Sequence, residues 1–105
     1  MQLESMMDVV AELKDEIGYL ENEPGNVDVR LMKLLERGEQ KLNEVAGCVI
    51  DYDDDLVARG LLIDFGRYAH SQVEDLFEKN YSSELASLNA KYSVKEYVES
   101  GEQNE

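Results

Sequence analysis

The chain has 105 residues, 43% of them apolar, and its ten Lys and Arg against 24 Asp and Glu give a formal net charge of −14. That length supports one domain with a modest core, and the charge repels phosphate backbones, which excludes stand-alone duplex binding. A single Cys, Cys48, excludes an internal disulfide, and no apolar run reaches the roughly 18 residues of a membrane span, so a soluble intracellular protein is expected.

From about Leu3 to Leu20 the residues Leu3, Met6, Met7, Val10, Leu13, Ile17 and Leu20 recur on one helical face, and Glu4, Asp8, Glu12, Asp15 and Glu16 take the opposite one. The stretch ENEPGN, residues 21–26, breaks the pattern with a Pro-Gly pair and predicts a turn. A second helix follows to about Ala46, with Asn26 or Asp28 as its N-cap and Gly47 as its C-terminal cap. Its apolar stripe of Leu31, Leu34, Leu35, Leu42, Val45 and Ala46 is interrupted by Gly38. A helical Gly costs about 1 kcal/mol against Ala, and a second backbone passing close would explain it. The small residues Gly66 and Ala69 are the expected neighbours.

A third helix is predicted from about Asp55 to Lys79. Its apolar residues, from Val57 and Ala58 through Phe65 to Leu76, cover more than half the circumference, which makes it the central helix. A fourth, shorter helix from about Ser82 to Lys91 carries Tyr81, Leu85, Leu88 and Tyr92 as a thin stripe. Beyond it Tyr92, Val94 and Val98 alternate loosely, and the last residues have the composition of a disordered end. The expected fold is all-α, a small bundle of about four helices with a long central third helix and an extended C-terminal tail. Residues 1–94 form the domain, and residues 95–105 a flexible acidic tail.

Between the second and third helices lies DYDDD, residues 51–55. Asp51, Asp53 and Asp55 match the first three ligand positions of an EF-hand loop, but Leu56 replaces its turn Gly and Leu62 its bidentate Glu. CVIDYDDD also resembles the strand and DxD signature of haloacid-dehalogenase-type phosphatases, whose sheet has no counterpart downstream. Capping of the third helix by Asp53, Asp54 or Asp55 is the reading that remains. No metal and no cofactor is expected.

His70, the one histidine, has no nucleophile at helical spacing, so no catalytic constellation is visible. Arg30, Lys33, Arg37 and Lys41 lie three, four and four residues apart and form a cationic stripe on the second helix. Either local pairs such as Lys41 with Glu44 solvate that face, or it meets the acidic face of the first helix (Asp8, Glu12, Asp15) or the DYDDD segment of another copy. Tyr81, Tyr92 and Tyr97 gather toward the end of the chain, as packed rings or as anchors for a partner.

The stretch LMKLLERGEQKLNEVAG (residues 31–47), the acidic turn, and LVARGLLIDFGRYAHSQVEDLFEKNYSSELASLNAKYSV (56–94) resemble the head-tail connector proteins of tailed bacteriophages, also called adaptor or head-completion proteins. The marks are the leucine-rich helix ending in Gly47, the Arg67-Tyr68 pair, the pattern from Phe77 to Leu88, and Lys91-Tyr92. The resemblance implies a structural virion protein at the head-tail interface, assembled in the host cytoplasm, with no enzymatic activity. Such proteins dock as a ring of about twelve copies under the portal after DNA packaging and extend the DNA channel toward a stopper or tail-completion protein. An acidic channel wall repels DNA and lets it slide on ejection. The same charge predicts a monomer in isolation and a ring only on the portal. The resemblance also implies a portal-binding tail, Tyr92, Val94, Tyr97 and Val98, adding as a strand to a sheet edge. The competing reading is an acidic regulatory module that mimics DNA in the basic cleft of a nuclease or repressor.

Overall fold

A computed structural model describes residues 1–18 and 27–103, with side chains to residue 94. The described residues contain five helices and no strand: α1 (Leu3–Ile17), α2 (Val27–Ala46), α3 (Leu56–His70), α4 (Asp75–Asn80) and α5 (Ser82–Gln103). None is long and apolar enough to cross a membrane. The Pro-Gly pair and the candidate cap Asn26 lie outside the described residues, and Asp28 sits in the first turn of α2.

α1 runs antiparallel to α2, with the Met1 ammonium on Glu39 and Lys14 on Asp28 at the other end. α3 is also antiparallel to α2, so that α1 and α3 run in the same direction. Val9, Leu13, Leu35, Leu42 and Leu62 are completely buried where the three meet. Each such leucine contributes about 1.5–3 kcal/mol relative to exposure. Left-handed glycines close two helices. Gly18 (φ 69°) ends α1. Gly47 (φ 78°) ends α2, its N–H and that of Cys48 both donating to the Asn43 carbonyl.

Three sequence expectations are corrected. The long third helix is broken after His70. Its end is a Schellman turn, in which the Val73 N–H donates to Tyr68 O and the Gln72 N–H to Ala69 O, both at 3.0 Å. Gln72 takes the left-handed position at φ 62° that glycine usually fills. The breaker is thus a side-chain-bearing residue, and Val73, Leu76 and Phe77 happen to continue the helical period across it.

α3 shares the centre with α2: it contacts α1, α2 and α4, and α2 contacts α1, α3 and α5. The apolar circumference of α3 is narrower than its sequence suggests: Val57 is 71% exposed. Finally, the chain beyond Lys91 is helical to Gln103 rather than extended. Spacings of three and four relate Val94, Tyr97 and Val98, a helical as well as a loosely alternating pattern, and no Gly or Pro intervenes before Gly101.

Gly38 is buried on the α2 face toward α3, but its neighbours are Phe65 and Leu62, while Gly66 receives Leu13 and Leu35. Each glycine admits side chains of a facing helix, and the two do not face one another. α4 places Phe77 against this seam. Its ring meets Phe65 edge-on at 5.4 Å and stacks on Tyr81 at 4.7 Å, and Tyr68 completes the cluster.

Candidate functional site

The acidic segment is a structural device built from side chains with separate partners. The Asp51 carboxylate accepts the Asp53 and Asp54 N–H groups and shapes the turn. Asp53 takes the Ser5 hydroxyl at 2.7 Å and one Arg59 nitrogen at 3.4 Å. Tyr52 turns inward, 1% exposed, and its hydroxyl donates to Asn43 Oδ1 at 2.9 Å. Burial, with Glu39 nearby, pushes the Tyr52 phenol well above its ordinary pKa.

Asp55 is the N-cap of α3, accepting the Ala58 N–H on Oδ1 at 3.0 Å, while its Oδ2 accepts Lys91 Nζ at 2.8 Å and the Tyr92 hydroxyl at 2.6 Å. One carboxylate therefore starts α3 and fastens α5. Burial pushes its pKa up, but the hydrogen bonds from Lys91, Tyr92 and the Ala58 N–H outweigh it and hold the carboxyl at about 2. Among the described residues, no three His, Cys, Asp or Glu side chains converge as a metal site. Cys48 is an exposed free thiol, and His70 is an exposed residue at the end of α3.

The cationic stripe divides in two. Arg37 Nη2 meets Glu74 at 3.2 Å and Lys41 meets Glu78, so two ion pairs bridge the C-terminal half of the stripe to the segment 74–78. The partner of Lys41 is thus across the fold from the Glu44 that local spacing suggests. Arg30 and Lys33, in the N-terminal half, have no ion pair among the described residues. Apart from them, Lys79 is the sole described Lys or Arg without one. On the outer edge of α1, Asp8 and Asp15 are exposed and equally unpaired among the described residues, whereas Glu12 holds Arg59 at 2.9 Å. The candidate interface residues therefore separate into an internal set (Arg37, Lys41, Glu12) and an open set (Arg30, Lys33, Asp8, Asp15).

The candidate tail separates as well. Tyr92 is committed to Asp55, Val94 is 62% exposed, and Tyr97 and Val98 lie on the helical backbone of α5, their side chains beyond those described. The carboxylates that occupy Arg37 and Lys41, Glu74 at the N-cap of α4 and Glu78 within it, were missed in the sequence. The available signal was the shared spacing, since Glu74 and Glu78 are four residues apart, as are Arg37 and Lys41.

No protein-family model, no curated protein and no solved structure matches the chain.

Proposed function

We propose that this protein is a head-tail connector of a tailed bacteriophage. It docks as a ring under the portal after packaging and continues the DNA channel toward a stopper or tail-completion protein. The sequence resemblance supplies the reading, and the arrangement of charge is the observation that carries it. One molecule holds two exposed and opposite charge edges without ion pairs among the described residues, Arg30 with Lys33 on α2 and Asp8 with Asp15 on α1. Edges that are complementary to one another but not self-complementary specify head-to-tail contacts, and such contacts close into a ring when the rotation permits.

The net charge of −14 acts at longer range. It opposes assembly of free copies and suits the wall of a channel that must not hold DNA. The portal supplies a template that offsets the repulsion, so the isolated chain is a monomer at physiological salt. α5 is the gripping element in this reading, and it grips as a helix. Its N-terminal half is fixed to the body by Leu88, Asn89, Lys91 and Tyr92, which leaves the segment after Tyr92 for the portal.

Co-sedimentation with the portal protein of the same phage tests the proposal. Capture of the chain by assembled portals, with the free chain sedimenting as a monomer, agrees with it. Stable rings of the isolated chain contradict the template requirement. Failure to bind portals, combined with displacement of duplex DNA from a basic nuclease, transfers the protein to the DNA-mimic class.

A further inference from the structure

Between α2 and the end of α3 runs an open groove of about 940 Å³, with Arg30, Lys33 and Arg37 on one wall and Ala69, His70 and Gln72 on the other. Glu36 and Glu74 also line it, and Glu74 is engaged by Arg37, so the positive charge open to a partner is that of Arg30 and Lys33. Further along α2 two ion pairs bridge the same face to the segment 74–78. There two carboxylates four residues apart, Glu74 and Glu78, meet two cations four residues apart, Arg37 and Lys41. The molecule thus shows what one end of its cationic face accepts: carboxylates at i, i+4 spacing. The open end presents the same chemistry without its occupant among the described residues.

We propose that the open end of this groove receives the outer edge of α1 from a second copy of the chain, approaching antiparallel to α2. The spacings argue for that occupant. Glu4, Asp8, Glu12 and Asp15 are separated by four, four and three residues, and Lys41, Arg37, Lys33 and Arg30, read backward, by four, four and three. An antiparallel approach sets Asp15 against Arg30, Glu12 against Lys33 and Asp8 against Arg37. Glu12 retains Arg59 on its other side, and Arg37 retains Glu74. The inference rests on the self-association in the reading above and is independent of the portal.

The contact is weak, because solvent-exposed pairs contribute little each and long-range repulsion opposes them. Salt first screens the repulsion and then the pairs, so association is strongest at intermediate ionic strength. The test is the concentration dependence of backbone amide shifts of the labelled protein from micromolar to millimolar. Arg30→Glu and Asp15→Lys serve as variants. Both leave the fold intact, since they place an acid in the first turn of α2 and a base in the last turn of α1, where the helix dipoles favour them.

In the wild type, shifts confined to the outer edge of α1, the N-terminal half of α2 and the 69–72 region support the contact. Each variant alone weakens the concentration dependence roughly tenfold. An equimolar mixture recovers it, because the carboxylate introduced on α2 of one variant then meets the ammonium introduced on α1 of the other. Lys79→Glu changes nothing. No concentration dependence, shifts on other faces, or a mixture no better than its components overturns the contact. A groove that responds to inorganic phosphate but not to protein concentration overturns it as well, and assigns the site to a small anion. Loss of portal capture without loss of these shifts refutes the connector reading and leaves this contact standing.

Discussion

Gly38→Ala sets helix propensity against packing at the α2–α3 seam. Alanine in a helix interior gains about 1 kcal/mol over glycine. A Cβ at position 38 falls 2.6 Å from Phe65 Cδ1, 3.0 Å from Leu62 Cδ1 and 3.1 Å from Phe65 Cγ, whereas carbon atoms in good contact sit about 3.5–4.0 Å apart. The leucine methyl can rotate away. The Phe65 ring cannot move so freely, because it is 4% exposed and lies edge-on against Phe77, itself completely buried. Overpacking of this kind costs about 1–3 kcal/mol, so the clash outweighs the propensity gain and the variant loses about 1 kcal/mol net. Gly60→Ala is the internal control. It lies in α3 with nothing within 4 Å of the added carbon, and it gains about 0.5–1 kcal/mol. Urea unfolding followed by circular dichroism reads both midpoints. A Gly38→Ala protein as stable as the Gly60→Ala protein refutes the close approach.

Three further outcomes follow from the joints of the fold. Gln72→Gly relieves the left-handed strain at the end of α3 and raises thermal stability by about 0.5–1 kcal/mol, and a loss shows that the glutamine contributes more than backbone conformation. Asp55 has a folded pKa depressed to about 2 from 3.8, so its contribution is complete above about pH 4 and disappears as pH falls toward 2. That shift corresponds to about 2 kcal/mol, and Asp55→Asn flattens the acid limb of a stability-pH profile by that amount; an unchanged profile contradicts the assigned bonds. Deleting residues 94–105 removes the last turns of α5 but keeps Lys91 and Tyr92 on Asp55. The melting temperature therefore stays within a few degrees and helical ellipticity falls, with portal capture lost in co-sedimentation.

The helical class, the first two helices, the cap Gly47 and a cap among Asp53, Asp54 and Asp55 were legible because periodicity and end signals coincide there. The break after His70 was not, because Gln72 holds a position that glycine or asparagine normally announces while Val73, Leu76 and Phe77 keep the helical phase. Tyr52 looked like part of an acidic run and is a core residue, since its partners, Asn43 Oδ1 and the Glu39 carbonyl, sit nine and thirteen positions earlier on another element. The cationic stripe was visible as a spacing. Its division into a paired and an open half was not, because the pairing acids arrive with α4, a helix hidden inside the predicted third one. Similarly, a capping aspartate was readable there, but the bonds of Asp55 to Lys91 and Tyr92 depend on how α5 returns along α2.

Electron microscopy of the protein mixed with the proposed partner, a phage portal, tests the central claim most directly. The account predicts one ring of additional density beneath each portal, with neighbouring subunits joined between α1 and the N-terminal half of α2 and with α5 reaching the portal as a helix. Bare portals at saturating protein, or density joined through other surfaces with α5 free, would contradict it.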